Sequence, residues 1–281
     1  MLLYSFLAHV ASNNKQGAFM RVLVTVFASF AFLMGCGQSQ EPASEAPGPA
    51  ESSAPSNDVL VDYIWNKVGS DVTDDQFADI VARWNARIDT GGYDMMGANI
   101  LKPQFETDDY DVIWVLLWPS REARESAWAH WNANQEEEWT AELDGALSYD
   151  AENVYTFSPG AGRDSDVGAT PEGGTFVPSF DFCNFNDGYD QASLDAFRTA
   201  YDASLDENPS SDYGYYIMEP QFENAKRLLS ERADFVWLDL FTDEEAAQSG
   251  SEDWNGSALQ AEWDAMVACQ DFTFAATAIR R

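Results

Sequence analysis

Leu101-Lys102-Pro103-Gln104-Phe105-Glu106 decides the fold, because the stretch returns as Met218-Glu219-Pro220-Gln221-Phe222-Glu223, 117 positions later. The same offset holds upstream, where one set of four apolar residues falls on another: Phe77, Ile80, Trp84 and Ile88 fall on Leu194, Phe197, Tyr201 and Leu205. Each set has the spacing of one face of a helix. A repeated hexapeptide that follows a repeated helical face predicts two copies of one unit.

Downstream of the hexapeptide, the offset between the copies becomes 123 positions. Trp114 then falls on Trp237, and Trp118 falls on Phe241. Six extra residues therefore lie in the second copy, at about 224–232. Because loops tolerate changes of length better than helices or strands do, we predict a loop there.

The amino terminus carries an export signal. Met20-Arg21, a candidate start, opens an apolar run over 22–34 that is too short to span a bilayer and suits a signal-peptide core. The run ends in Leu33-Met34-Gly35-Cys36, which resembles the lipobox of bacterial lipoproteins. The resemblance implies a signal peptide over 1–35 and lipidation at Cys36. An ordinary secretory signal that happens to contain a cysteine is the alternative.

The segment 36–57 is rich in Pro, Ala, Ser and Glu and has almost no large apolar side chain. Such a composition cannot bury enough surface to fold, so it predicts a flexible tether. We therefore expect a lipid-anchored protein of the bacterial cell envelope. By resemblance to the bacterial sorting pattern, Gly37 rather than Asp after the cysteine favours the outer membrane over the inner one.

Composition bounds the rest of the chain. Of its 281 residues, 58–159 and 175–281 form two units of ordinary domain size, with a Gly-rich linker over 160–174 between them. The formal net charge of −33 disfavours nucleic acid as a partner, because phosphate groups would be repelled.

Each copy reads as βαββαβ. In the first copy, strand 59–68 precedes a helix that opens with the capping box Thr73-Asp74-Asp75-Gln76. Strands 95–101 and 110–118 follow, then a broken helical region over 120–147 and a strand at 154–157. The second copy repeats this order. The pattern predicts an α+β protein of two ferredoxin-like, split βαβ units.

The third strand of each copy is apolar on both faces, as in Val112-Ile113-Trp114-Val115-Leu116. Since helices cover only one face of such a sheet, something else must cover the other. The simplest solution packs the two sheets together. The chain then resembles the dimeric α+β-barrel superfamily, which includes antibiotic-biosynthesis-monooxygenase-like, EthD-like and NIPSNAP-like domains. A monomer suits this arrangement, because the duplication supplies both halves; no family active site is carried over.

Candidate ligand-binding residues recur at matching strand positions. The aromatic set comprises Trp65, Trp114, Trp118, Phe182, Trp237 and Phe241. They either line a pocket between the sheets for a flat or apolar ligand, or fill that space as core. Asn99 and Tyr216 correspond between the copies and could offer polar contacts inside the barrel.

Two residues are candidates for acid or base chemistry. Asp239 replaces Leu116 in the second copy, on the face of Trp237 and Phe241. It is either a buried carboxylate with a raised pKa or a strand-edge group that reaches solvent. His130 is either a solvated side chain on an acidic helix or a base that faces a pocket.

Cysteine usage predicts one disulfide. With Cys36 assigned to the lipid, Cys183 and Cys269 remain, in an exported protein where disulfides form. In a ferredoxin-like sheet of order 4-1-3-2, the end of strand one lies beside the start of strand four, which brings them together. Two buried free thiols are the alternative. No Cys-x-x-Cys occurs and His130 is the only histidine after Cys36, which disfavours zinc; no metal or cofactor is expected.

The sequence does not identify the bound molecule. We expect a non-catalytic binding or interaction module for a small apolar or aromatic ligand, tethered to a membrane. A cofactor-free oxygenase or isomerase that uses the barrel pocket, with Asp239 or His130 as base, is the second hypothesis. A structural envelope protein is the third.

Overall fold

The computed structural model describes residues 58–222 and 233–281. The first copy consists of β1 (Leu60–Val68), α1 (Asp74–Gly91), β2 (Gly97–Pro103), β3 (Val112–Trp118), α2 (Arg121–Asn134), α3 (Glu136–Leu143) and β4 (Leu147–Arg163). A 3-10 turn, Asp166–Ala169, precedes the second copy. That copy consists of β5 (Thr175–Phe185), α4 (Gln191–Glu207), β6 (Tyr213–Pro220), β7 (Phe235–Phe241), α5 (Glu244–Trp254), α6 (Ala258–Met266) and β8 (Val267–Arg280).

The eight strands close into one barrel in the order β1-β3-β2-β8-β5-β7-β6-β4. Each copy contributes four adjacent strands in the order 4-1-3-2, so the prediction of paired ferredoxin-like units in an α+β barrel is confirmed. The copies join at two seams, where β2 pairs with β8 and β4 pairs with β6, all antiparallel.

The repeated hexapeptide lies at these seams. The backbone N–H of Gln104 donates to Thr273 O at 3.0 Å, and that of Gln221 donates to Thr156 O at 2.9 Å. Each copy thus hydrogen-bonds to the last strand of the other through the same residue of the repeat. Phe105 then packs on Phe272 and Phe274, while Phe222 packs on Tyr155 and Phe157. Both copies of the hexapeptide therefore contribute equivalent contacts to the two seams.

A repeated glycine permits close approach at the same seams. A Cβ on Gly97 would lie 3.1 Å from Arg280 O, and one on Gly214 would lie 2.4 Å from Arg163 O. Since a real Cβ does not come within 3.0 Å of a backbone oxygen, Gly214 in particular allows β6 to approach β4.

The local predictions for α1 hold. The side chain of Thr73 accepts from the N–H of Gln76, and that of Gln76 accepts from the N–H of Thr73. Gly92 ends the helix in the left-handed conformation at φ 65°. Ile80, Trp84 and Ile88 are buried against the sheet, as their spacing predicted.

β4 is much longer than the predicted strand at 154–157. It runs on into the predicted linker, where Gly162 pairs with Tyr216 and Arg163 with Tyr215 across an irregular register. Val167, also in that linker, is buried in the barrel interior. The polar and Gly-rich sequence resembles a loop, but the free edge of β6 supplies hydrogen-bonding partners that keep the backbone extended.

The strands separate three apolar regions. The barrel core fills the interior and includes Tyr63, Trp65, Ile113 and Phe180. The first outer core lies between the first sheet and α1, α2 and α3, and includes Ile64, Trp84, Trp114 and Trp131. The second outer core lies between the second sheet and its helices, and includes Phe197, Tyr215, Phe235 and Trp237.

The predicted disulfide is confirmed. Cys183 and Cys269 are register partners on β5 and β8, with their Cα atoms 4.1 Å apart and their sulfurs bonded. In the first copy the corresponding register pair is Asn66 and Tyr149, which cannot form such a bond.

Candidate functional site

The larger of the two best-formed cavities in the described part of the chain lies in the first outer core, beneath α1, α2 and α3. Its volume is about 70 Å³. Its wall is unusually rich in aromatic rings, which are Trp84, Trp114, Trp118, Trp128, Trp131, Trp139, Tyr93 and Tyr149. We call this space the outer cavity. Ligand pockets of proteins are commonly lined this way, by apolar rings with few polar groups.

The mouth of the outer cavity lies where its lining is least buried. Tyr93 and Met95, in the connection between α1 and β2, are half-buried, as are Trp128 and Tyr149. Met96, in the same connection, is 50% exposed, which is unusual for a large apolar side chain in the described part of the chain. The α1–β2 connection and α2 therefore form the side of the cavity nearest to solvent.

The carboxylate of Asp62 fixes the positions of two tryptophan side chains in the cavity wall. Its carboxylate is fully buried on β1 and accepts from the indole N–H groups of Trp118 at 2.9 Å and Trp128 at 2.8 Å. Arg124 Nε donates to it at 2.7 Å and the hydroxyl of Thr156 at 2.6 Å. A buried charge with an ionic partner and all these donors is well satisfied. Sequence reasoning missed Asp62, although an acid inside the apolar run Leu60–Val68 was the available signal.

Two residues that line the outer cavity each carry a buried polar atom with no hydrogen-bond partner among the described residues: Nε1 of Trp114 and the hydroxyl of Tyr93. Trp114 is only 4% exposed. Burial raises the pKa of the Tyr93 hydroxyl, so it stays protonated at neutral pH. A buried donor without an acceptor costs about 1–3 kcal/mol, and native proteins contain few of them.

The equivalent tryptophan of the second copy has an acceptor for its indole N–H. Trp237 corresponds to Trp114, and its Nε1 donates to Asp239 at 2.8 Å. Tyr215, which corresponds to Ala98, stacks on Trp237 with ring centroids 4.2 Å apart. In the first copy, Leu116 stands where Asp239 would accept, and Ala98 provides no ring to stack. The buried indole N–H of Trp114 therefore has no acceptor among the described residues.

Asp239 does not lie in the barrel interior. Odd-numbered residues of β7 face the helices, and Asp239 shares that face with Trp237 and Phe235. Besides Trp237, the hydroxyl of Tyr213 donates to it at 2.6 Å. Burial raises the pKa of Asp239 to about 6, although both of these hydrogen bonds lower it. Asp239 therefore lies on the outer face of the second sheet, and its predicted location between the sheets is wrong.

Two further carboxylates accompany Asp239. Asp181 and Asp271 are register partners on β5 and β8, on the same outer face. Burial raises the pKa of Asp181 to about 8, and the charges of Asp239 and Asp271 add to the effect. The corresponding residues of the first copy are Ile64, Leu116 and Val154, which pack in the first outer core. The outer faces of the two copies have thus diverged, one to an aromatic cavity and the other to a polar cluster.

Only part of the predicted aromatic set lies between the sheets. Trp65 and Phe182 face the barrel core. Trp114 and Trp118 face the first outer core, Trp237 faces the second, and Phe241 lies on the same outer side against Tyr213. Trp65 pairs with Ile113 rather than with Trp114, and a shift of one residue puts a side chain on the opposite face.

The barrel interior is nearly filled. Its cavity is about 40 Å³ and is lined by aromatic and aliphatic residues, among them Trp65, Phe182 and Met218. Asn99 lies on the same face of β2 as Leu101, and Tyr216 lies on the same face of β6 as Met218. Both of these faces point into the barrel. Three strands separate β2 from β6, so the structure does not bring this pair together. The hydroxyl of Tyr216 donates to Asp164, and Oδ1 of Asn99 is buried without a partner.

His130 lies outside the outer cavity but against its wall. Its exposed ring packs edge-on to Tyr93, with centroids 5.5 Å apart, and its Nδ1 lies 3.4 Å from the amide of Asn134. Its ring thus contacts Tyr93, a residue that lines the cavity.

Some predictions fall outside the described residues. The signal peptide, Cys36 with its tether, and the insertion predicted at about 224–232 lie in 1–57 and 223–232. Within 58–222 and 233–281, no helix is both long and apolar enough to cross a membrane. The same ranges contain no cluster of three or more His, Cys, Asp or Glu side chains placed to hold a metal ion.

No protein-family model matches the sequence, and no curated protein matches it. Solved structures resemble it in overall chain arrangement. An anthrone oxidase-like protein is 12% identical, with a TM-score of 0.47 over 78% of this chain and 90% of that one. A variant of chlorite dismutase from Candidatus Nitrospira defluvii is 9% identical, with a TM-score of 0.48 over 79% of this chain and 93% of that one.

Proposed function

We propose that this protein is a binding module that holds a small, ring-containing and largely apolar ligand in the outer cavity of the first copy. The observation that carries the proposal is the cavity of about 70 Å³ walled by six tryptophans and two tyrosines. Rings give a large apolar contact area with little conformational freedom to lose, which suits recognition of flat ligands.

The proposed setting is the bacterial cell envelope, with the barrel held to the membrane by lipid on Cys36. The lipobox-like Leu33–Cys36 and the Pro-rich tether support this. Replacing Cys36 by Ser should release the protein from membranes, because no acyl chains would then remain. Unchanged co-sedimentation of the variant with membranes would contradict the anchor.

The alternative is a cofactor-free oxygenase or isomerase. The contact that favours it is the packing of His130 against Tyr93 at the cavity wall. Two facts favour binding instead: Asp239 belongs to the other copy, and His130 is exposed. Consumption of a bound compound by the wild type but not by His130→Ala would establish the enzyme.

Blocking each cavity in turn tests the site. Ala127 is buried and lines the outer cavity, so Ala127→Leu would extend a side chain into it. Val236 lines the barrel cavity, so Val236→Leu is the matched control. Overpacking costs about 1–3 kcal/mol, which a folded protein can tolerate.

The measurement is thermal stabilisation by a panel of one-ring and two-ring aromatic compounds, with native mass spectrometry to confirm stoichiometry. We expect binding to the wild type and to Val236→Leu, with loss in Ala127→Leu. Equal binding to all three proteins would show that the outer cavity is not the site.

A further inference from the structure

We infer that the ligand of the outer cavity presents a neutral hydrogen-bond acceptor, such as a carbonyl or ether oxygen, to the indole N–H of Trp114. The inference rests on the proposed function and names the chemical class of the ligand. The indole N–H of Trp114, a residue that lines the outer cavity, is a donor with no acceptor among the described residues.

The indole N–H of Trp114 can only donate, so no rotation or change of protonation satisfies it. Trp114 lines the cavity, and its buried N–H has no partner among the described residues. In the second copy, Trp237 shows that this position in the fold can supply an acceptor, since Asp239 accepts from it at 2.8 Å. The first copy has Leu116 there, which cannot accept, so we assign the acceptor to a molecule in the cavity.

Three of the five other indoles in the wall are already hydrogen-bonded, whereas the N–H of Trp114 is buried and has no partner among the described residues. Trp118 and Trp128 both donate to Asp62, and Trp131 hydrogen-bonds to Tyr149. The hydroxyl of Tyr93 is the second unpaired group that lines the cavity. Because a hydroxyl can rotate, it can donate to the same acceptor atom or accept from the ligand.

The lining excludes an anionic ligand. Every described residue that lines the cavity is uncharged at pH 7, and Arg124 is engaged by Asp62 instead. A carboxylate that left water for this site would find no cation, and such a transfer is costly. The acceptor is therefore a neutral oxygen.

The volume decides how much of the ligand enters. The cavity of about 70 Å³ is roughly half of the 150 Å³ that admits benzene in an engineered protein core. The acceptor-bearing end of a ring compound therefore occupies it, and the rest lies at the mouth between Tyr93, Met95 and Trp128.

The test compares three probes of nearly the same shape: acetophenone, α-methylstyrene and benzoate. The protein is the full chain with Cys36→Ser, and affinity is measured by isothermal titration calorimetry. Acetophenone has a carbonyl where α-methylstyrene has a methylidene group, so the pair isolates the acceptor. We expect acetophenone to bind about tenfold more tightly, as one net hydrogen bond allows. Benzoate should not bind measurably.

Trp114→Phe removes the donor and keeps a ring. In this variant the preference for acetophenone over α-methylstyrene should disappear, because the buried carbonyl no longer has a donor. Trp237→Phe removes the corresponding N–H of the second copy and should leave all three affinities unaltered. Leu116→Asn, an independent variant, offers Trp114 an internal acceptor and should also abolish the preference for acetophenone.

The outcomes separate the two proposals. If neither neutral probe binds the wild type, the proposed function and the inference both fall. If both bind with equal affinity, the binding module stands and the acceptor inference is overturned. Binding of benzoate as tightly as acetophenone would overturn the requirement for a neutral ligand. A preference that survives both Trp114→Phe and Leu116→Asn would show that Trp114 is not the donor.

Discussion

Removal of the Cys183–Cys269 bond should destabilise the barrel without changing its fold. The bond joins residues 86 positions apart. In the loop-entropy account, a closed loop of this length stabilises the folded state by about 4.5 kcal/mol. Residual structure in the unfolded chain reduces that figure, so we expect about 4 kcal/mol for Cys183→Ala with Cys269→Ala. The hydrogen-bonded register of β5 and β8 on either side of the pair should keep the strands in place.

The assay is equilibrium unfolding in guanidinium chloride, followed by tryptophan fluorescence, with Cys36→Ser in both proteins. For a guanidinium m-value of about 5 kcal/mol/M, the midpoint should fall by about 0.8 M. Wild type with its disulfide reduced should unfold with the midpoint of the double variant, which serves as the control. Coincident midpoints for the oxidised wild type and the variant would refute the reasoning, as would two reactive thiols in the unfolded, unreduced wild type.

Three further predictions follow from the structure. Asp62→Ala should lower the free energy of unfolding by about 3 kcal/mol, because Arg124 loses its buried partner. Ser179→Ala, at the matching position of the second copy, is the control and should lower it by under about 1 kcal/mol. Equal losses for the two variants in a denaturant titration would contradict this prediction. The melting temperature should fall as pH rises from about 5 to 9. The pKa values of Asp239 and Asp181 in the folded protein are about 6 and 8, above the usual value for Asp. The protonated carboxyl groups stabilise the folded state relative to the unfolded state, and this stabilisation is lost as pH rises through those pKa values. Asp181→Asn should flatten this profile, and a wild-type melting temperature that rises over the range would refute the assignment. Phe105→Ala and Phe222→Ala should each cost about 2 kcal/mol, being half-buried in equivalent contacts, and a threefold difference between them would contradict the equivalence of the seams.

Local patterns and the internal repeat together determined the architecture. The capping box and apolar spacing of α1 depend only on neighbouring residues, so its extent could be predicted within about one residue. The repeat supplied a second reading of every element, and the excess of apolar residues in β3 showed that both faces are buried. From the resulting strand order, the pairing of Cys183 with Cys269 followed, because that order places the end of β5 beside the start of β8.

The faces of the aromatic residues were decided only by the tertiary structure. Residues 112–118 are apolar throughout, so their alternation does not show which side chains point into the barrel. Matching positions in the two copies predict that Trp114 and Trp118 face the barrel interior, but the pairing of Trp65 with Ile113 turns them outward. The outer cavity went unpredicted for this reason.

The extended course of β4 and the role of Asp62 likewise depend on residues far away in the chain. The segment 158–163 resembles a loop until the edge of β6 is placed beside it. Asp62 looks misplaced in an apolar strand until Trp118, Trp128 and Arg124 converge on its carboxylate. A sequence read locally indicates which groups must be buried or hydrogen-bonded, but the partner that satisfies each of them is known only once distant strands and helices are packed together.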